Sequence, residues 1–409
     1  MTTPSPSNDR IAARTLGVGL VLVLAALGLA RGFVSLLVST SAPELRGQYT
    51  EGSIRLSEFL EVLPEISRRE DAVLVFGSSI IQHGFSPEAF EQRLGAPVTA
   101  YNLGFPGVNP LMQALLARKV AQSFEHTGRK ARLTLVEFTP FQATLARGKS
   151  SWYREQSAVK KALLADPPTL AETARNSPEE ASHVGALWLM GGISPLSVTS
   201  LLETRIFDEP SPSWWPVPPP EDPSAERKAL AARILSTRAA IEHREVPEWD
   251  PVRRGEVRWI FDETREAYLA WARLRSAPEL LKADVQWRVN TSDMLELRFD
   301  DAQVTGFIEA VRTLASVSQE TRVVVGPRNR AWNQPTPEGR ARLAAVLARI
   351  KRETGVPLLD LSESPDFVPE DFIDVTHFNE SHGRPKFSRR LAEAVSDQWG
   401  PGVAKGAAP

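Results

Sequence analysis

The apolar residues of this chain follow three rhythms. The first is unbroken. Thr15 to Val38 reads TLGVGLVLVLAALGLARGFVSLLV with Arg31 as its only charge, more than the ~20 apolar residues that cross a bilayer. Arg10 and Arg14 precede it. By the positive-inside bias, residues 1–14 are then a cytoplasmic tail and 15–38 a transmembrane anchor, with Arg31 reaching toward the far interface. A signal peptide cut after Gly28-Leu29-Ala30 and a buried core helix are the alternatives. No later run is apolar enough to span. The expectation is a single-pass protein of the cell membrane whose C-terminal domain lies outside the cytoplasm.

The second rhythm is helical. Between 41 and 70, Leu56, Phe59, Leu60 and Leu63 recur at helix spacing, which predicts a stalk helix leading into the domain. The third rhythm alternates. Short apolar runs at Ala72 to Phe76, Val98 to Asn102, Ala131 to Phe138, Arg322 to Val325 and Val356 to Leu359 read as buried strands. Between and after them stand helix patterns opening at Ser86, then Pro110 to Ser123, Ala302 to Ala315, Pro337 to Thr354 and Arg384 to Trp399. Ser86-Pro87-Glu88 is a helix start, with a capping serine and proline in the first turn. Buried strands alternating with amphipathic helices predict an α/β fold, a parallel sheet covered on both faces. Its halves are 71–150 and 301–400, with 401–409 as a flexible tail.

The middle, 151–300, breaks the alternation and reads as a Trp-rich helical insertion or lid. Ser177-Pro178-Glu179-Glu180 is a capping-box start, and Ser224 to His243 and Asp262 to Arg275 read as further helices. Glu209 to Pro223 carries seven prolines and predicts an extended connector. Eight of the ten tryptophans lie in this middle, where they either pack within a helical subdomain or stack on sugar faces or a membrane interface.

Composition narrows the chemistry. The 409 residues carry 48 Lys+Arg against 50 Asp+Glu, a net charge of −2, so no global field attracts a phosphate backbone and nucleic-acid binding is not expected. Zero cysteines exclude disulfides, thiolate nucleophiles, iron–sulfur clusters and cysteine-ligated zinc. The six histidines are scattered, and neither a metal site nor a cofactor is expected.

What remains is hydroxyl chemistry. A serine nucleophile needs a tight turn and a proton acceptor oriented by a carboxylate. Gly77-Ser78-Ser79 stands at the carboxyl end of the first strand, where ligands bind in open α/β sheets. Asp374-Val375-Thr376-His377 places a carboxylate and an imidazole three residues apart, so that Asp374 can orient His377 toward a hydroxyl. His83, four residues after Ser79, either approaches the same site or is a surface-loop histidine. Arg328-Asn329-Arg330, past a strand end, either clamps a substrate carboxylate or phosphate or lies in solvent.

Taken together, VLVFGSSI, YNLGFPG and DVTHFNESHGRPKFSRRLAEAV resemble the SGNH, or GDSL-type, hydrolase superfamily. The resemblance covers about 70–150 and 300–400 and implies a flavodoxin-like three-layer fold. It makes Ser79 the nucleophile in preference to Ser78, His377 the general base and Asp374 its orienting acid. The Ser79 and Gly107 N–H groups then face the oxyanion, with Gly104 the weaker candidate. One block departs. The superfamily's third block carries an asparagine that donates to the oxyanion, whereas Val136-Glu137-Phe138-Thr139-Pro140-Phe141 has none; Asn109 or Thr139 could replace it. This departure and the anchor are more similar to membrane-anchored proteins that work beside membrane-bound O-acyltransferases, such as the D-alanylation protein of teichoic-acid synthesis and the alginate acetylation proteins. The resemblance implies O-acyl transfer to an envelope or exported polysaccharide, with an acyl donor and a membrane-bound O-acyltransferase as partners. A carbohydrate or lipid esterase and a catalytically degenerate binding or scaffold protein are the alternatives. Asn109, Arg328 and Asn329 are the candidate substrate contacts.

Overall fold

The computed structural model describes residues 6–40, 55–56, 59–149, 151–189, 225, 229, 293–330, 333–372, 376–379 and 381–396. Helix α1 runs from Pro6 to Ser39 and contains one stretch, Arg14–Leu37, long and apolar enough to cross a membrane. Its mean hydropathy is 2.3, and Leu16 and Leu29 are more than three-quarters exposed. Residues 59–66 form the short helix α2.

Five strands follow: β1 (Ala72–Gly77), β2 (Thr99–Gly104), β3 (Leu133–Glu137), β4 (Thr321–Val325) and β5 (Leu358–Asp360). They pair in the order β2-β1-β3-β4-β5, all parallel. This is a doubly wound order whose switch point, the place where ligands gather in such sheets, lies between the carboxyl ends of β1 and β3. Because strand side chains alternate between faces, the sheet divides its apolar residues between two cores. Leu74, Phe76, Tyr101, Leu103, Val136 and Val323 face α2, α5 (Pro110–Thr127), α10 (Asp301–Ser316) and α11 (Pro337–Thr354). Val73, Val75, Leu133, Leu135 and Val324 face α3 (Ser79–Gly84), α4 (Pro87–Leu94) and α12 (Gly383–Val395).

The helices begin where the sequence places caps. Ser86 accepts the Ala89 N–H at 3.2 Å and Pro87 opens α4, while Asn109 and Thr336 do the same for α5 and α11. Helices α5 and α11 end on Gly128 and Gly355 at φ +66° and +70°, the left-handed position that favours glycine. Two expectations need correction. The stalk expected over 41–70 is, in its described part, core: Leu56, Phe59, Leu63 and Ile66 are at most 5% exposed and belong to the first hydrophobic core. The segment after Ser79, expected as a loop, is a six-residue helix, α3, too short to show a 3.6-residue period.

Of the middle region, α6 (Leu145–Lys149), α7 (Ser151–Leu163), α8 (Pro167–Asn176) and α9 (Pro178–Leu189) are described. Ala158, Ala162, Val184 and Leu187 give α7 and α9 a small core of their own. Ion pairs Lys161–Glu180 within it and Lys119–Asp166 to α5 fasten it. Ser177 Oγ accepts the Glu180 N–H at 3.2 Å, but the Glu180 carboxylate goes to Lys161. The proline connector and the later helices expected between 190 and 292 lie outside the described residues, apart from helical residues 225 and 229. The tail 401–409 lies outside them too.

Candidate active site

Strand β1 ends at Gly77 and α3 begins at Ser79, so the chain turns from strand to helix across one residue, Ser78. That turn stands at the switch point. Ser79 Oγ lies 2.8 Å from His377 Nε2, a contact between residues 298 positions apart. His377 is 8% exposed and its Nδ1 is 3.5 Å from Thr376 Oγ1.

The turn is fixed from below by a carboxyl group. Glu137, the last residue of β3, is 1% exposed. Its Oε2 accepts the Ser78 N–H at 2.7 Å and the Ser78 hydroxyl at 2.9 Å, and its Oε1 accepts the Thr139 hydroxyl. Ser78 Oγ in turn accepts the Ile80 N–H at 3.2 Å as the N-cap of α3. Burial pushes the Glu137 pKa up, and the hydrogen bonds from Thr139 and Ser78 only partly oppose it. Gly77 makes the arrangement possible: a Cβ there would overlap Glu137 Oε2 and stand 2.5 Å from Ile81 Cγ1.

The other end of α3 is capped by a side chain from the neighbouring strand. Asn102 Nδ2 donates to the carbonyls of Ile81, Gln82 and Phe85 at 2.8–3.1 Å, satisfying acceptors that a helix end leaves open. Its Oδ1 accepts from the Gly104 N–H at 3.0 Å and from Arg55 Nη2 at 3.1 Å. Arg55 is fully buried and also donates to the Asn102 and Gly104 carbonyls. A Cβ on Gly104 would overlap the Gln82 backbone, so β2 and α3 touch main chain to main chain.

His377 is held by packing. Its neighbour Phe378 stacks on Phe372 and Phe387, each with centroids 4.9 Å apart, and Phe372 and Phe378 form an antiparallel bridge. Phe378 closes against Gly84, where a Cβ would stand 2.5 Å from its ring. Asn379 Oδ1 accepts the His382 and Gly383 N–H groups at 3.0 and 2.8 Å, fastening the loop to α12. His83, for which a surface loop is one expectation, is half-buried on α3. Its ring is edge-on to that of His377 at 5.3 Å.

The remaining candidates scatter in role. Asp374 lies outside the described residues. Gly107 sits in the turn after β2 at φ +62°. Asn109 is engaged as the N-cap of α5, accepting from Met112 N at 3.0 Å and reaching Ser157 Oγ at 3.4 Å. Arg328 donates to the Asn333 carbonyl and pairs with Glu363, and Asn329 is fully buried. A cavity of about 40 Å³ opens at the ends of β3 and β4, lined by Ile80, Glu137, Thr139, Val325, Arg328 and Thr376 among others. Ile80 and Thr376 are the chain neighbours of Ser79 and His377. Sequence reasoning assigned no role to Glu137, Asn102 or Arg55. The available signals were a carboxylate ending an apolar strand run and an arginine immediately before the Leu56–Leu63 periodicity. The chain matches no protein-family model and no curated protein sequence.

Proposed function

We propose that the protein is a membrane-anchored serine acyl-transfer enzyme of the SGNH type, carrying an acyl group from a donor to an envelope or exported polysaccharide. The observation that carries this reading is the 2.8 Å contact between Ser79 Oγ and His377 Nε2 at the switch point of the sheet. The distance is within general-base reach. In the first step His377 Nε2 takes the hydroxyl proton as Ser79 Oγ attacks the acyl carbon. The tetrahedral oxyanion faces the N–H groups of Ser79 and Gly107; Ser79 is the first residue of α3, where an N–H has no intrahelical acceptor. The leaving group then departs with the proton from His377. In the second step His377 Nε2 takes the proton of a sugar hydroxyl as its oxygen attacks the acyl carbon, and the tetrahedral intermediate collapses as that proton passes to Ser79 Oγ, whose bond to the acyl carbon breaks. Asp374 takes the part of orienting acid. The cavity beside the pair holds roughly three water-sized groups, the bulk of an acetyl group.

On this reading α1 is the membrane anchor and the domain lies outside the cytoplasm, so the acceptor is an extruded or lipid-linked glycan and the donor an acyl group passed on by a membrane protein. Protease added to intact spheroplasts degrades the domain on this reading; protection overturns the topology. The chemistry is tested with the full-length protein in detergent, a labelled activated acetyl ester, and oligosaccharide acceptors present or absent. Acetyl-sugar formed by the wild type and not by Ser79→Ala supports transfer. Acetate released regardless of sugar makes the protein an esterase. An absence of any Ser79-dependent product or acyl-enzyme leaves a degenerate binding or scaffold role.

A further inference from the structure

We propose that Glu137 is a positioning residue for the nucleophile, holding both chain neighbours of Ser79 so that the Ser79 hydroxyl alone is left to face His377. The inference rests on Ser79 being the reactive hydroxyl, as read above. Hydrogen bonds run from β3 to Ser78 on one side of that residue and, relayed by the Ser78 hydroxyl, to Ile80 on the other. Glu137 Oε2 holds the Ser78 N–H and hydroxyl, and the same hydroxyl oxygen holds the Ile80 N–H. Thr139, two residues beyond Glu137, fixes the other carboxyl oxygen and stands 3.2 Å from Ser78 Oγ. Gln113 Nε2 donates to the Glu137 carbonyl at 3.2 Å, anchoring its main chain from α5.

Packing alone does not call for a carboxyl group here. The side chain lies on the sheet face that carries Leu133 and Leu135, and an apolar residue of similar size would avoid the desolvation of a buried acid. What a carboxyl group adds is two acceptor oxygens on one rigid plane, and these accept the three donors around the turn. The β3 end is also the block in which the resembling superfamily places its asparagine. Here the side chain at that strand end acts on the turn beneath the reacting atoms and does not point toward an oxyanion.

Glutamine reproduces the arrangement, its oxygen accepting from Ser78 and its amide donating to Thr139 Oγ1; leucine fills the space and reproduces none of it. The test uses the full-length protein in detergent and a fluorophosphonate, which reacts as Ser79 Oγ forms the bond to phosphorus, fluoride leaves, and His377 takes the proton. The maximal inactivation rate and the probe's reversible affinity are measured separately, with circular dichroism to confirm folding at the assay temperature. Glu137→Leu is expected to lower the maximal rate on the order of tenfold to a hundredfold with the affinity unchanged, since small misplacements of reacting atoms cost that much. Glu137→Gln restores the rate to within about threefold of wild type, as the retained geometry requires. If Glu137→Leu does not fold, Thr139→Val is read in its place: a reduced maximal rate supports positioning. A wild-type rate in the folded leucine variant, or in Thr139→Val when that is read, overturns the inference and leaves the acyl-transfer reading intact. Labelling that is absent in the wild type, or that survives Ser79→Ala, overturns both.

Discussion

The arm that carries Ser79 is held chiefly by hydrogen bonds made inside the protein, whereas the arm that carries His377 adds a stack of three packed rings to its hydrogen bonds at Asn379. On the first, a buried carboxyl group, a capping asparagine and a buried arginine fix the two ends of a six-residue helix. On the second, Phe372, Phe378 and Phe387 stack, and the histidine is the residue next to the middle ring. Hydrogen bonds are directional and set an angle; ring packing sets a position through contact area and tolerates rotation. The Ser79 hydroxyl is thus on the directional arm, and the His377 ring brought up to it is on the packed one.

The largest expected effect comes from emptying the packed arm. Phe378→Ala removes two stacked contacts and the closure against Gly84, and should cost about 3–5 kcal/mol, read as a lowered melting temperature together with slower phosphonate labelling at Ser79. If the variant melts normally and labels at the wild-type rate, the rings do not position His377. The directional arm is challenged next by Gly77→Ala, whose Cβ overlaps Glu137 Oε2. Overpacking of this kind costs about 1–3 kcal/mol, and the labelling rate should fall further than stability alone explains. Equal losses in both would reduce Glu137 to an ordinary packing residue.

A smaller effect separates the arms by pH. Glu137 has its folded pKa raised above the ordinary glutamate value by burial, so the folded state holds a proton that the unfolded chain has released. Stability from this group is fully present below the unfolded pKa of about 4.5 and is lost as pH rises through the folded value. Melting of Glu137→Gln followed across pH should lack that decline, and matching curves for mutant and wild type would contradict it. Asp166, in the helical unit away from both arms, supplies the opposite sign and the smallest effect. Burial raises its pKa, but hydrogen bonds from Lys119 and Thr169 outweigh that and bring it to about 2. Its contribution is present above about 3.8 and disappears as pH falls toward about 2. Asp166→Asn should remove less than about 1 kcal/mol at neutral pH and flatten the acid limb of the melt.

The two arms also differ in how far they could be read from sequence. The strands were legible as apolar runs bounded by polar residues: AVLVF became Ala72–Gly77, and the run ending in Val325 became Thr321–Val325. The cap-and-proline start at Ser86-Pro87 fixed α4, because that signal is local, and the helix patterns from Pro110 and Pro337 became α5 and α11. Helix α3 was not legible, since six residues leave no period to detect. The jobs of Glu137, Asn102 and Arg55 were not legible either, because each acts on a segment 17 to 59 residues away that only the strand order brings near. Arg55 illustrates the difficulty: it stands next to a helical apolar pattern that marks its neighbours and not itself, and the fold buries it against β2.

That burial limits how far the apolar helix α1 can stand from the sheet. Helix α1 stops at Ser39 with Thr40 as its turn, and Arg55 is locked to β2, so 15 peptide units separate the two. Covalent geometry limits such a stretch to roughly 50 Å when fully extended. With α1 in a membrane, as proposed, Ser79 would work within a layer of bounded depth above the end of α1, and the concentration it experiences would be that of molecules inside that layer. That depth is set by chain length, so adding residues between Thr40 and Arg55 would dilute the site without touching it.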